Sequence, residues 1–352
     1  MKKGYLVLQD GQVFEGYRFG AGQDTVGELV FNTAAVGYIE ELTDPSYAGQ
    51  ILLQTYPLIG NVGMIHADKE GGCFVKGYVT REICDVPSNF RTDCDLESWL
   101  REQGVPGICG VDTRQLTRIL RDGGTMNACI CDEVPADLEV LRTYAVTGAV
   151  AAVTRKGADV FPAEGEETFR VTVVDCGVKN SLIRGLQKRG CAVTVVSADT
   201  SAEDILAGKP DGVILSAGPG DPTENAALIE TVKALLGKVP VFGIGLGHQL
   251  MALATGGSVV KLPYGHRGAN QPVRDLKGTR TYITSQNHGY TVETLGAGEL
   301  RFKNLNDGTC EGIDYPALKA FSVQFDPATE PGHNDTAFLF DRFADLMKGG
   351  AL

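Results

Sequence analysis

The segment Val239-Pro240-Val241-Phe242-Gly243-Ile244-Gly245-Leu246-Gly247-His248-Gln249 reads as a buried strand, a sharp turn and the first turn of a helix. Gly243 and Gly247 flank position 245 at the spacing of a nucleophile elbow. Such an elbow holds a Ser or Cys at the tip of a strained turn, above a helix N-terminus. Position 245 is itself glycine. The frame for a nucleophile is present and the nucleophile is not. A dinucleotide-binding reading of the same glycines fails at its third position, where His248 stands. A second glycine-rich turn, Ser216-Ala217-Gly218-Pro219-Gly220-Asp221-Pro222, also follows an apolar strand. Its glycines suit plain turn chemistry or the close approach of a ligand to the backbone.

The elements that must carry these turns follow from the hydrophobic pattern. After about residue 168, apolar β-branched runs alternate with helical segments. The strands are 169–174, 192–196, 212–215 and 239–244, and the helices are 180–189, 202–207, 226–236 and 246–254. Continuous apolar strands alternating with helices predict a parallel sheet covered on both faces, with functional groups at the carboxyl ends of the strands. Residues 258–325 are more β-like, and a last helix is expected over 336–347. Before residue 154 the pattern is of another kind. Tyr5 to Glu15 reads as a hairpin with an Asp10-Gly11 turn. Residues 28–31 and 73–80 are β-like, and amphipathic helices are expected over 95–100 and 113–121. The stretch 154–168, rich in Gly, Pro, Glu and Lys and without periodicity, reads as a linker. The predicted architecture is therefore α/β: an N-terminal α+β domain over 1–153, the linker, and a doubly wound domain over 169–352.

The 352 residues suffice for two domains, each with its own core. A net charge of −12 disfavours a nucleic-acid partner, since no basic patch is available to displace counterions. No apolar run reaches membrane-spanning length, and the N-terminal stretch is too short for a signal sequence. Nine cysteines, an odd number with no C-x-x-C pair, fit reduced thiols in a cytoplasm, mostly as small core residues. Cys129 and Cys131 have the spacing of side chains on one face of a strand. His66, His266 and His288 lack metal-ligand spacing, and no metal is expected.

Taken together, these strings resemble a known family. Ser216 to Pro222, Gly243 to Gln249, Gln286-Asn287-His288-Gly289-Tyr290 and Ser322-Val323-Gln324-Phe325-Asp326-Pro327 resemble a class I glutamine amidotransferase of the triad type. Phe31-Asn32-Thr33, Gly37-Tyr38, Leu42 to Tyr47, Tyr56 to Asn61, Ser88-Asn89, Gly110 to Thr117 and Val174 to Asn180 narrow the resemblance to the small subunit of carbamoyl-phosphate synthase. It runs from about Gly4 to the last helix, and other amidotransferases of this class lack the N-terminal strings.

The resemblance implies glutamine hydrolysis by a Cys nucleophile, a His acid and base, and a Glu that orients the His. In this chain those positions hold Gly245, Asp326 and Ala328. All three catalytic side chains are absent. Glu330 and His333 lie just past the dyad position, and no shift of register supplies a thiol at the elbow. The glutamine pocket implied by the family is retained: Ser46, Gly218, Gly220, Leu246, Gln249, Asn287, Gly289 and Tyr290. Ala217 departs from an Asn often found there. Independently of the family, Asp112 or Thr113 reads as the N-cap of the helix that follows.

The expectation is a small subunit that partners a large, ATP-using synthetase subunit in making carbamoyl phosphate for pyrimidine and arginine synthesis. ATP and Mg would sit on the large subunit, with no cofactor in this chain. Glutamine would be a weak ligand, and the complex would use free ammonia. The alternatives are a glutamine-binding sensor that has left the synthetase and a chain whose triad was removed by design.

Overall fold

The computed structural model describes residues 2–328 and 334–350. The chain divides into two compact units. One comprises Met1–Thr147 with Pro263–Arg267, and the other Gly148–Leu262 with Gly268–Leu352.

The first unit is built on a closed barrel. Its strands run around the wall in the order Lys2–Leu8, Val13–Gly20, Pro106–Cys109, Gly77–Val79, Gln50–Gln54, Thr25–Asn32 and Met126–Cys131. The expected hairpin is there: Val7 faces Val13, and Gly11 takes φ 92° in the turn, a conformation open to glycine. Side chains alternate across the wall. Leu6, Leu8, Leu29, Ile51, Leu53, Val79, Ile108, Ala128 and Ile130 meet in one cluster that Leu116 and Leu120 of the helix Thr113–Gly123 join. Residues of the other parity, Val30, Leu52 and Tyr78, pack instead with Trp99 and Leu100 of the helix Leu96–Glu102. Asp95 and Asp112 cap these two helices, accepting the N–H groups of Ser98 and Gln115 at 2.8 and 2.9 Å. The β-like run at 73–80 forms a strand only over Gly77–Val79.

The second unit holds a ten-stranded sheet. Its middle is parallel, in the order Cys191–Ser197, Phe169–Asp175, Gly212–Leu215, Val241–Ile244 and Ala320–Val323. Beyond Ala320–Val323 the sheet continues antiparallel through Cys310–Tyr315, Glu299–Asn304 and Ser258–Asp275. The two faces separate by strand parity. Val171, Val173, Ile214 and Phe242 pack with Leu182, Leu186, Phe340 and Phe343, on the helices Asn180–Gln187 and Phe338–Met347. Val174, Val213, Leu215 and Val241 pack with Leu228, Val232, Leu250 and Met251, on the helices Ala226–Leu235 and Leu246–Ala254. This is the doubly wound arrangement the alternation predicts.

The stretch 154–168 holds a strand as well as loop. Ala158–Phe161 pairs antiparallel with Cys191–Ser197 at the sheet edge. Its residues are mostly exposed, so it carries no hydrophobic periodicity for a sequence reading to find. Among the described residues, no helix is long and apolar enough to cross a membrane.

Candidate functional site

The strand Val241–Ile244 ends in the elbow, and the helix Leu246–Ala254 begins immediately after it. Gly245 has φ 56° and ψ −110°, a backbone state that costs a residue with a side chain about 1–3 kcal/mol. The flanking glycines are there for room. A Cβ at Gly243 would meet Met251 Sδ at 2.5 Å and the Gly247 carbonyl oxygen at 2.8 Å. A Cβ at Gly247 would meet the Leu215 carbonyl oxygen at 2.3 Å. The turn is pinned on both sides by backbone bonds. Gly245 donates to the Val323 carbonyl at 2.9 Å and Gly247 to the Ser216 carbonyl at 3.2 Å. The elbow has thus kept the strained geometry of a nucleophile position although its tip is bare. Leu246 supplies the first N–H of the helix, which has no intrahelical acceptor, and such groups are donors for a developing oxyanion.

Space at the tip is nearly sufficient for a side chain. A Cβ on Gly245 would lie 3.0 Å from the Ala217 Cβ and 3.3 Å from its Cα. Combined with the positive φ, this predicts that Gly245→Cys lowers stability by about 1 kcal/mol. Thermal denaturation should show a fall of roughly 2–4 °C for a unit of this size. A stabilised variant would show that the elbow is unstrained.

Asp326 follows the strand Ala320–Val323, on the neighbouring sheet position. Its N–H donates to the Ser285 carbonyl at 3.0 Å, and its Oδ1 accepts the Ala328 N–H at 2.8 Å. Its carboxylate forms an ion pair with Lys179, both groups being largely buried. Lys179 belongs to the Val174–Asn180 string, but the sequence reading gave it no role. The signal was a carboxylate in a base position, because a buried charge calls for a partner. Ala328 packs against the core beside the helix Phe338–Met347. Glu330 and His333 lie outside the described residues.

Other groups nearby do not replace the missing ones. Cys176 is fully buried, and burial pushes its thiol pKa up to about 12. His248 is also fully buried. Burial lowers its pKa to about 3, and its Nδ1 lies 2.8 Å from Ser322 Oγ. It is a neutral packing histidine beneath the elbow.

Within the second unit, a polar network ties Gln249 of the elbow helix to the Gln286–Tyr290 segment. Gln249 Nε2 donates to the Tyr290 carbonyl at 2.8 Å and to Gln324 Oε1 at 2.9 Å. His288 Nδ1 lies 2.8 Å from the same Tyr290 carbonyl, and its Nε2 lies 3.0 Å from Gln286 Oε1. Gln286 in turn donates to the buried Glu311 at 2.9 Å, as does Asn304. This chain of bonds fixes the Gln286–Tyr290 segment of the strand Thr281–Thr294 against the elbow helix. Asn287, Gly289 and Tyr290 are half-buried on that strand. Gly218 presses against Cys176, where a Cβ would meet the carbonyl oxygen at 2.2 Å, and Gly220 has φ 85°. Ser216 Oγ joins the two loops by accepting the Cys176 N–H at 2.9 Å. Ser46 lies in the first unit, buried on the turn Pro45–Tyr47, with its N–H on Asp44 Oδ1 at 2.8 Å. Gln324 and Glu311, central to the bonding here, were not singled out from sequence as binding residues.

Residues 6–130 match the carbamoyl-phosphate synthase small chain, CPSase domain, and residues 172–346 match glutamine amidotransferase class-I. The carbamoyl phosphate synthase small chain of Oceanobacillus iheyensis is 46% identical over 357 residues, covering 99% of this chain and 97% of the relative. The pyrimidine-specific small chain of Bacillus subtilis is 45% identical over 350 residues, covering 97% and 95%. The chain belongs to the carbamoyl phosphate synthase small-chain family. In this small chain the elbow tip is Gly245.

Proposed function

We propose that this chain serves as the small subunit of a carbamoyl phosphate synthase whose own glutamine hydrolysis is lost. It would bind a large, ATP-using subunit that carries ATP and Mg, in the cytoplasm, as a structural partner and activator. Free ammonia is then the nitrogen source for carbamoyl phosphate destined for pyrimidine and arginine synthesis. The observation that carries the reading is the bare but strained elbow at Gly245, beside an acid–base position filled by Asp326 in an ion pair with Lys179. Without a thiol no acyl intermediate forms. The match over residues 6–130 favours a synthetase partner over a free-standing sensor, which would have no use for that domain.

Glutamine remains a weak ligand in this reading, since removing catalytic groups does not by itself remove ground-state binding. The Gln249–Tyr290–Gln324 bonding supports a pocket whose walls hold their shape. The test is titration calorimetry of glutamine into the chain co-purified with its large subunit. Heat with a dissociation constant of about a millimolar, near 4 kcal/mol of binding, is expected. A folded complex giving no heat removes glutamine from the account. A large subunit that fails to co-purify removes the partner.

A further inference from the structure

We propose that Cys129 and Cys131, on the wall of the first unit's barrel, form a two-thiol site that captures a trivalent arsenical. Both lie on the strand Met126–Cys131, two residues apart and therefore on one face. Their Sγ atoms are 3.6 Å apart, and the Cys129 thiol donates to Cys131 Sγ. Two soft sulfur donors at that separation suit a small soft acceptor that needs only two thiolates and no further protein ligand. Both thiols are free. They are also poorly placed to oxidise to each other, because residues i and i+2 of a strand stand about 6.6 Å apart, at the far edge of disulfide reach.

The surroundings allow entry. The two sulfurs do not share the large cluster formed by Leu6, Leu29, Ile51 and their neighbours. They belong to a small cluster with Val7 and Leu141, against which Tyr5, Val26 and Leu138 pack. Its cover is the five-residue helix Glu139–Thr143, of which only Leu141 is buried. A short element resting on so little apolar contact opens locally at low cost. When Cys129 ionises, the Cys131 S–H takes over as donor to it, which holds Cys129 below the usual thiol range while Cys131 is pushed up.

With an arsenoxide the reaction balances without an oxidant. Two S–H bonds and the As–O unit become two As–S bonds, and the oxygen leaves as water with both protons. Arsenic stays trivalent. The second As–S bond closes within the same strand, so its effective concentration is high and the adduct resists simple monothiols.

The experiment treats the folded, full-length chain with phenylarsine oxide. One arsenical per chain is expected in the intact mass, retained in excess 2-mercaptoethanol and stripped by 2,3-dimercaptopropanol. Iodoacetamide labelling read by peptide mass spectrometry should fall at Cys129 and Cys131 by at least about tenfold, with other cysteines unchanged. Cys129→Ala and Cys131→Ala should each lose the retained adduct, while Cys191→Ala keeps it. The labelling footprint on the unmodified chain decides the matter even if a variant misfolds. An adduct lost to 2-mercaptoethanol, or protection at other cysteines, overturns the proposal.

Discussion

Glutamine incubated with this chain, alone or bound to its large subunit, is expected to release ammonia at the background rate. Each component of the chemistry is accounted for by a residue. The elbow tip offers no atom to attack the amide carbon. The position expected for an imidazole holds Asp326, whose carboxylate forms an ion pair with Lys179. Ala328 cannot orient a base. Cys176 is buried with its thiol pKa near 12, and His248 is buried with a pKa of about 3, so neither supplies a thiolate or a proton shuttle at neutral pH. What remains is the helix N-terminus and the pocket, which contribute only when a nucleophile is present. Loss of a whole catalytic set costs several powers of ten in rate. An ammonia-release assay showing turnover above about 1 per second, the range of ordinary enzymes, would defeat this expectation.

The complementary result concerns repair. Gly245→Cys, Asp326→His and Ala328→Glu together are expected to restore glutamine hydrolysis to at least about a hundredfold above the unmodified chain, the scale of one general acid–base contribution. Each single change should stay at background, because members of such a set act as a unit. The elbow already has the backbone conformation that the cysteine needs, and its Cβ requires only a small retreat of Ala217. The histidine replaces a carboxylate that now pairs with Lys179, so the ammonium stays beside the new ring and favours the neutral imidazole, the form able to accept a proton. The glutamate must fit where Ala328 packs against the core, which makes it the most demanding of the three. A triple variant that binds glutamine and stays inactive would place the remaining defect in the loop at Ala217.

Much of the second unit was legible because its signals are local. Apolar strands and helices alternate within short stretches, and the parity of Val171, Val173 and Val174 distributes them to opposite faces of the sheet. The elbow was legible because Gly243 and Gly247 are required by contacts with Met251 and Leu215 that no side chain tolerates. Closure of the first unit into a barrel was not legible. It depends on pairing Val13–Gly20 with Pro106–Cys109 and Thr25–Asn32 with Met126–Cys131, registers set by distant partners rather than by local pattern. The strand Ala158–Phe161 escaped for the opposite reason, being exposed at a sheet edge with no alternation to read. At the site, Gly245, Asp326 and Ala328 were singled out from the sequence. The partner of Asp326 was not, since the ion pair with Lys179 joins segments far apart in the chain. The polar set from Glu311 to Gln249 likewise becomes visible only once the strands Cys310–Tyr315 and Thr281–Thr294 and the elbow helix are assembled.

The most direct measurement follows the nitrogen. The chain reconstituted with its large subunit is given ATP, bicarbonate, amide-labelled ¹⁵N-glutamine and unlabelled ammonium, and the isotope is read in the carbamoyl phosphate formed. The account predicts unlabelled product whose yield follows ammonium and ignores glutamine. Product carrying ¹⁵N in proportion to the glutamine supplied would contradict it.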